Sequence, residues 1–487
     1  RPFFSTMPMW ENETRHTVAL LLCAANAISY ADRTNIGVAA PAFLPDRADR
    51  GLVLSSFFYG YVLTQVPASF WAVRHGVKSV LVSGVVVFTI CDVSTILASE
   101  SVPLLVIVRA FMGAGEGVVM PSLHRFAADW FPSSERGTLV AAVSSGSDLG
   151  TILALSLSSC IMKWTHWRMI FVAFGGFSIL WVLVFLRHVT SKPEQHPRIS
   201  AKEKEYILSN TQSSKPSSMT WSVAFRHRSI WAIYVAHFSF NYSWYVLLGW
   251  LPSYFEEQLG LDLRENQFLA ALPYVCGYCG LIVAGRVSDR LIARGVRTLR
   301  VRRIMNTISS VGPAIFLVAL RHVHDHRTAI LCLSAALFTG RASASGFWIN
   351  MIDVGPEHAG QIMGVSNTIA TVPGIVGNLM TGYILKRTNE WAIVFDIAAG
   401  VSLFGGIIFA LFSTDRNVFQ QNEKKNRICA NIRKAMTWRG TVAAASVSLT
   451  KMGNRFFEAW CITAGGVGAS ISGDFARGEF SIQEMLT

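Results

Sequence analysis

Twelve stretches of about twenty apolar residues recur along this 487-residue chain, and they constrain its fold more than any other feature. A run of that length crosses the roughly 30 Å hydrocarbon core of a bilayer as a helix, where every backbone N–H and C=O must be satisfied inside the segment. The stretches fall at residues 17–43, 51–72, 78–99, 103–126, 137–161 and 167–189, then at 230–255, 267–289, 304–321, 328–350, 359–385 and 391–413. Six precede and six follow a polar interval, which is the pattern of a duplicated bundle. The expected fold is an all-α membrane protein with about twelve transmembrane helices in two six-helix bundles. Its parts are an N-terminal segment 1–16, a first bundle 17–189, a linker 190–228, a second bundle 229–416 and a tail 417–487 expected to be disordered.

Composition agrees, because 51% hydrophobic against 15% charged residues is too apolar for a soluble globule. The formal net charge of +13 would suggest nucleic-acid binding if the basic residues formed one surface, but they lie between the apolar spans. Nineteen Lys and Arg follow even-numbered spans and nine follow odd-numbered ones, which places the even loops and both termini in the cytoplasm. The expected partners are therefore a lipid bilayer and a small solute, with no nucleic acid, and the expected state is a monomer. Six of the eight cysteines lie in apolar segments, where they pack as small hydrophobes. Cys276 and Cys279 form a CxxC without a second ligand pair, so no metal site and no cofactor are expected. The chain starts at Arg1 rather than Met, which leaves an upstream targeting sequence open. The basic tail from Asn417 suits contact with anionic lipid, and residues 457–471 are too short and Gly-rich for a thirteenth span.

Charges inside the spans point to function. Asp32 and Arg33 sit together in the first stretch, and Arg109 and Glu116 in the fourth. A charge at bilayer depth costs about 2.5–3.5 kcal/mol on insertion scales, so such residues face a polar cavity and mark a solute or ion path. Neighbours on a helix point about 100° apart, so Asp32 and Arg33 serve different partners, while Asn35 shares the side of Asp32. Either one of the pair lines the pathway while the other meets a neighbouring helix, or both form a structural ion pair. Arg109 and Glu116 are two turns apart and share a face. Glycines 113, 115 and 117 allow close helix approach, and Pro121 bends or opens the helix. A carboxyl tuned between desolvation and a nearby arginine can load and release a proton near neutral pH, unless Glu116 is held permanently by Arg33 or Arg109. His124 is either a further titrating group or a satisfied histidine near the span's end.

The strings DRTNIGVAAP, SSFFYGYVLTQVPASF, RAFMGAGEGVVMPSLHRFAADWFPSSERG, RVRRIMNTISSVGPA and GVSNTIATVPGIVG, in that order, resemble the anion:cation symporter family of the major facilitator superfamily. That family includes sodium/phosphate cotransporters, sialin, vesicular glutamate transporters and plant plastid phosphate transporters. The second half, with LPSYFEEQLGL and LPYVCGYCGLIVAGRVSDRLIARGV, is most similar to the plastid branch. The resemblance implies the major facilitator fold and a secondary transporter of a small anion, phosphate first, coupled to a proton or sodium gradient. It implies that Arg33 meets the substrate anion, that Asp32 and Glu116 are coupling carboxyls, and that Arg109 and His124 occupy charged fourth-helix positions. It also makes Tyr61, Gln65, Ser366 and Asn367 pocket contacts.

Departures from the family pattern are equally informative. Phe240 stands where relatives carry a charged or titratable seventh-helix residue, and Leu54 argues against the vesicular glutamate branch. Arg341, within LFTGRASASGFW, is the candidate replacement charge, or else an arginine reaching a helix end. Asp148 stands where sialin-like members have glutamine, and is an added titrating group or a pocket acid. The segments SFWAVRHGVK and GRVSDRLIARG occupy equivalent places in the two halves, so Arg74, Asp289 and Arg290 are expected to gate by ion pairs, weakened where Val73 replaces the usual acid. The runner-up function is a symporter of an organic carboxylate such as a sugar acid, sialate or amino-acid anion. A membrane anion receptor that does not cycle would not need the coupling carboxyls, and no nucleotide loop, metal cluster or nucleophile motif points to an enzyme.

Overall fold

A computed structural model describes residues 13–132, 135–211, 221–261, 268–323 and 325–420. Among them, α1 (Thr14–Ala39), α2 (Arg47–His75), α3 (Val77–Ala98), α4 (Val102–Glu116), α5 (Val119–Trp130), α6 (Arg136–Trp164) and α7 (Arg168–His188) build the first six spans. Two short helices follow, α8 (Ala201–Asn210) and α9 (Trp221–Arg226). The remaining spans are α10 (Arg228–Glu257), α11 (Leu272–Ala293), α12 (Thr298–Ala319), α13 (His326–Gly340) with α14 (Phe347–Val354), α15 (Ala359–Ile369) with α16 (Val372–Thr388), and α17 (Trp391–Phe412). No strand occurs among the described residues.

Eight of these segments are long and apolar enough to cross a membrane, and α1, α2, α10 and α11 fall short of that composition. In α1 the reason is visible, since Asn26, Ser29, Asp32, Arg33, Thr34 and Asn35 are all buried. Its polar face turns inward. The molecule instead exposes large apolar residues outward, Leu97, Leu63, Phe70 and Phe268 among them, as a lipid-facing surface requires. The tail from Gln421 and the segment before Glu13 lie outside the described residues.

Three spans are interrupted. The fourth opens at Gly117 and Val118, where Pro121 has no N–H for the carbonyl four residues earlier, so Glu116 ends α4 at the break. The tenth passes into a 3₁₀ turn at Arg341–Ser345 and Gly346 before α14 resumes, so Arg341 ends a helix where a continuous span was expected. The eleventh breaks between α15 and α16. Around these breaks the helices pack closely. A Cβ on Gly113 would lie 1.8 Å from the carbonyl oxygen of Phe57 in α2, and one on Gly60 equally near that of Ala110, so only glycine permits this crossing. Gly115 meets α3 at Gly84 in the same manner.

The two sets of six meet along α2 against α16, α1 against α10, and α6 against α11. At the end of α2 bearing Arg47 they are sealed. Gly51 and Gly382 abut, Arg50 pairs with Glu257 at 2.6 Å and Arg47 with the same carboxylate at 2.8 Å, and Lys386 pairs with Asp46 at 2.7 Å. Hydrogen bonding to the Lys386 ammonium holds the Asp46 carboxyl below its ordinary value, helped by the Ala48 and Asp49 N–H groups that it caps. A depressed value means that this contact persists above the normal carboxylate range and is lost only under more acidic conditions. At the opposite end, Arg74, Asp289 and Arg290 are exposed, and none forms an ion pair among the described residues.

The linker is partly ordered by one carboxylate. Ser200 caps α8 by accepting from the Glu203 N–H at 3.1 Å, which frees the Glu203 side chain to receive the Thr14 and Arg15 N–H groups at 3.0 and 2.9 Å. These are unsatisfied donors at the start of α1. Arg15 then binds Glu135 at 3.0 Å and lies over the Tyr206 ring, tying α8 to the first bundle. Glu203→Ala is expected to cost about 1–2 kcal/mol, the range for a lost helix cap, and to lower the melting midpoint of the solubilised protein.

Candidate functional site

The centre of the first bundle holds one tight ion pair. Arg33 Nη2 donates to Glu116 Oε2 at 2.8 Å, with the arginine side chain 4% and the carboxylate 0% exposed. Ser29, one turn before Arg33, donates to the same oxygen at 2.6 Å. The guanidinium is also enclosed by Tyr30, Phe57 and Tyr61, with ring centroids 4.7–4.8 Å away. Each ring favours a cation over its face. Yet Arg33 Nε and Nη1 and Glu116 Oε1 have no hydrogen-bond partner, so the guanidinium keeps N–H directions unused on either side of the Nη2 that holds Glu116. Each unused N–H can give an oxyanion oxygen a charge-assisted hydrogen bond.

Asp32 points the other way, as adjacent helical positions require. It lies in the electrostatic reach of Asp92 on α3 and Arg109 on α4, with both of its oxygens buried. Asn35 donates to Asp92 at 3.4 Å. Arg109 leans over Phe57 and contacts Met112 Sδ at 2.8 Å rather than bonding to Glu116. Two carboxyls therefore share one arginine beside the Arg33 pair. Sequence reasoning missed Asp92, although an acid within the apolar run TICDVST carried the same signal as Asp32.

Residues of the second set meet the first at this level. Gln65 donates to Thr371 at 3.2 Å and accepts from Asn367 at 3.2 Å, so two of the expected pocket residues bond across the seam. Ser366 is hydrogen-bonded at 2.8 Å to His237, which is 1% exposed and packed against Phe347 and Trp348. His237 precedes Phe240 by one turn, so the seventh span does carry a buried titratable group, displaced from the expected position. The sequence signal for it is a histidine within the apolar run WAIYVAHFSF. Arg341 stacks on Trp244 at 4.2 Å and forms an ion pair with Asp148 of α6.

The structure thus gathers Arg33, Glu116, Tyr61, Asp32, Asn35 and Arg109 in one cluster, with Gln65, Asn367, Asp148 and Arg341 along the seam and Ser366 within the second set, bonded to His237. His124 stands apart, exposed on α5 beyond the helix break. Among the described residues no group of three or more His, Cys, Asp or Glu is arranged to hold a metal ion.

Two helical bundles around a central charged cluster define a membrane transporter. The chain matches the family described as Major Facilitator Superfamily over residues 22–378. It is 39% identical over 375 residues to human sialin, covering 76% of each chain. It is 36% identical to the probable anion transporter 4, chloroplastic, of Oryza sativa subsp. japonica, over 85% of this chain and 71% of that one. A third relative is the sodium-dependent phosphate transport protein 1, chloroplastic, of Arabidopsis thaliana, at 34% identity over 86% and 83%. Among solved structures, a bacterial homologue of the human lysosomal transporter Spinster superposes with a TM-score of 0.63 at 16% identity, covering 85% and 97%. A D-xylose-proton symporter gives 0.63 at 15% identity, covering 82% and 98%, so the fold is shared where sequence is not. The chain belongs to the anion:cation symporter family of the major facilitator superfamily. It is a multi-pass integral membrane transporter rather than an enzyme.

Proposed function

We propose that the protein carries a small anion across a membrane by alternating access, driven by a proton or sodium gradient, with phosphate the first candidate. The observation that carries this reading is Arg33, buried and boxed by three rings, with Nε and Nη1 unpaired. The entering anion takes these donors. Protonation of Glu116, or an accompanying cation, then compensates for the added negative charge.

Charge balance supports coupling. The buried charges are Arg33, Arg109 and Arg341 against Asp32, Asp92, Glu116 and Asp148, all deeply buried except Arg341, which is partly so. Fully ionised, the set is one negative charge in excess before any substrate arrives. An anion deepens that excess in a medium where uncompensated charge is expensive, so at least one proton or cation must enter with it. Glu116 and Asp32 are the acceptors, and Asp92 joins them as a third.

In this reading the Arg47 end faces outward and is closed, while the end bearing Arg74, Asp289 and Arg290 opens to the cytoplasm. The similarity to a chloroplastic phosphate transporter supports phosphate. An organic carboxylate is the second reading, favoured by the tyrosines about Arg33, namely Tyr30 and Tyr61 against its guanidinium and Tyr245 in its electrostatic range, which would hold an organic body that phosphate lacks. Proteoliposomes offered labelled phosphate and a carboxylate panel, with proton and sodium gradients imposed in turn, decide between them. Uptake indifferent to both gradients would remove the symport reading.

A further inference from the structure

Four ion pairs among the described residues join the two sets of helices. Three of them, made by Arg47, Arg50 and Lys386, lie at the sealed end. The fourth, Asp148 with Arg341, lies in the interior: Asp148 is near the middle of α6, and its side chain is 3% exposed against 15% for Arg341. The partners are 193 residues apart.

Three further features bear on this pair. Arg341 leaves α13 where the helix changes to a 3₁₀ turn, its guanidinium rests on the Trp244 ring, and its Nε has no hydrogen-bond partner. Tyr30 reaches both arginines: its ring supports Arg33 at 4.7 Å, and its hydroxyl lies in the electrostatic range of Arg341. An anion seated on the free donors of Arg33 therefore has two further cations about it, Arg109 across the Phe57 ring and Arg341 beyond Tyr30, and of these Arg341 is the one that belongs to the second set of helices. That cation is already occupied by a carboxylate belonging to the protein.

We propose that Asp148 is a built-in surrogate for the transported anion, holding Arg341 while the carrier is empty and yielding it to substrate on loading. This rests on the anion-transport reading of the Arg33 site and assigns a second contact and a competitor to it. Two consequences follow from one exchange of partners. Substrate must displace Asp148, so its apparent affinity is lower than the bare arginines would give. In the empty carrier the Asp148–Arg341 pair keeps the buried charge compensated and the two sets joined, which permits the empty protein to reorient. A symporter needs that unloaded return, whereas exchange of one anion for another does not.

The test compares Asp148→Asn, Asp148→Glu and wild type, each full length and reconstituted, with labelled inorganic phosphate or whichever panel carboxylate the wild type carries. Uptake is measured into anion-free liposomes, where the carrier must return empty, and into liposomes preloaded with the same anion, where it need not. Asp148→Asn is expected to lower the KM for exchange about tenfold, by removing the population of occupied arginine that taxes binding. It is also expected to depress net uptake relative to exchange by a similar factor, while Asp148→Glu keeps both near wild type. An unchanged KM with an unchanged ratio of net uptake to exchange overturns the proposal. Equal loss of both activities overturns it as well: with unaltered melting, Asp148 is then an ordinary pocket residue, and with lowered melting and no rescue by glutamate, a structural one. Absence of any anion uptake by the wild type defeats the transport reading and this role with it.

Discussion

Glu116→Gln is expected to stop gradient-driven uptake while leaving anion exchange in place. The reason lies in the partner left behind. Glutamine cannot carry the charge that balances Arg33, and stripping one member from a buried pair costs about 3–5 kcal/mol. A bound anion supplies the missing charge, so the loaded carrier still crosses and still swaps its cargo. The empty carrier would have to return with a naked guanidinium, and a barrier raised by about 3 kcal/mol slows that step by roughly a hundredfold. Net uptake and counterflow measured on the same proteoliposomes check the split. Equal loss of both would make Glu116 a purely structural partner.

Arg33→Lys is expected to weaken both activities through the anion's affinity. An ammonium keeps the charge and the bond to Glu116, but it is a point donor without the planar fork, and it stacks less well in a box built by three rings. The two N–H directions that are unpaired beside Glu116 disappear. A KM for exchange at least about tenfold higher is expected, the effect of losing one charge-assisted hydrogen bond. Wild-type KM in the lysine variant would move the anion site away from Arg33.

The span pattern and the charges within it were legible because lipid imposes a length and a high cost on polarity, and both are visible in a linear sequence. Asp32, Arg33, Arg109 and Glu116 follow from that rule alone. The opposed directions of Asp32 and Arg33 follow from helical geometry, and the opening beside Glu116 from Pro121. Asp92 obeys the same rule. The capping pattern at Ser200 and Glu203 was present too, but a capping glutamate ordinarily serves its own helix, and nothing local reveals that this one serves α1. The Asp148 and Arg341 pairing was of another kind. Each residue stood out separately, but partners on α6 and a broken tenth span meet only after both sets of helices have assembled, and no local pattern encodes such a meeting.

The cluster of Asp32, Asp92 and Arg109 has an electrical consequence. Arg33 with Glu116 and Arg341 with Asp148 are each balanced, so moving them through the membrane field does little net work. The remaining trio is unbalanced by one unit unless it holds a proton, and a unit charge crossing the full field is worth about 2.3 kcal/mol per 100 mV. Voltage sensitivity should therefore reside in these three residues, so that currents recorded from Asp92→Asn would show a changed slope with membrane potential even where the anion's affinity stays as it was.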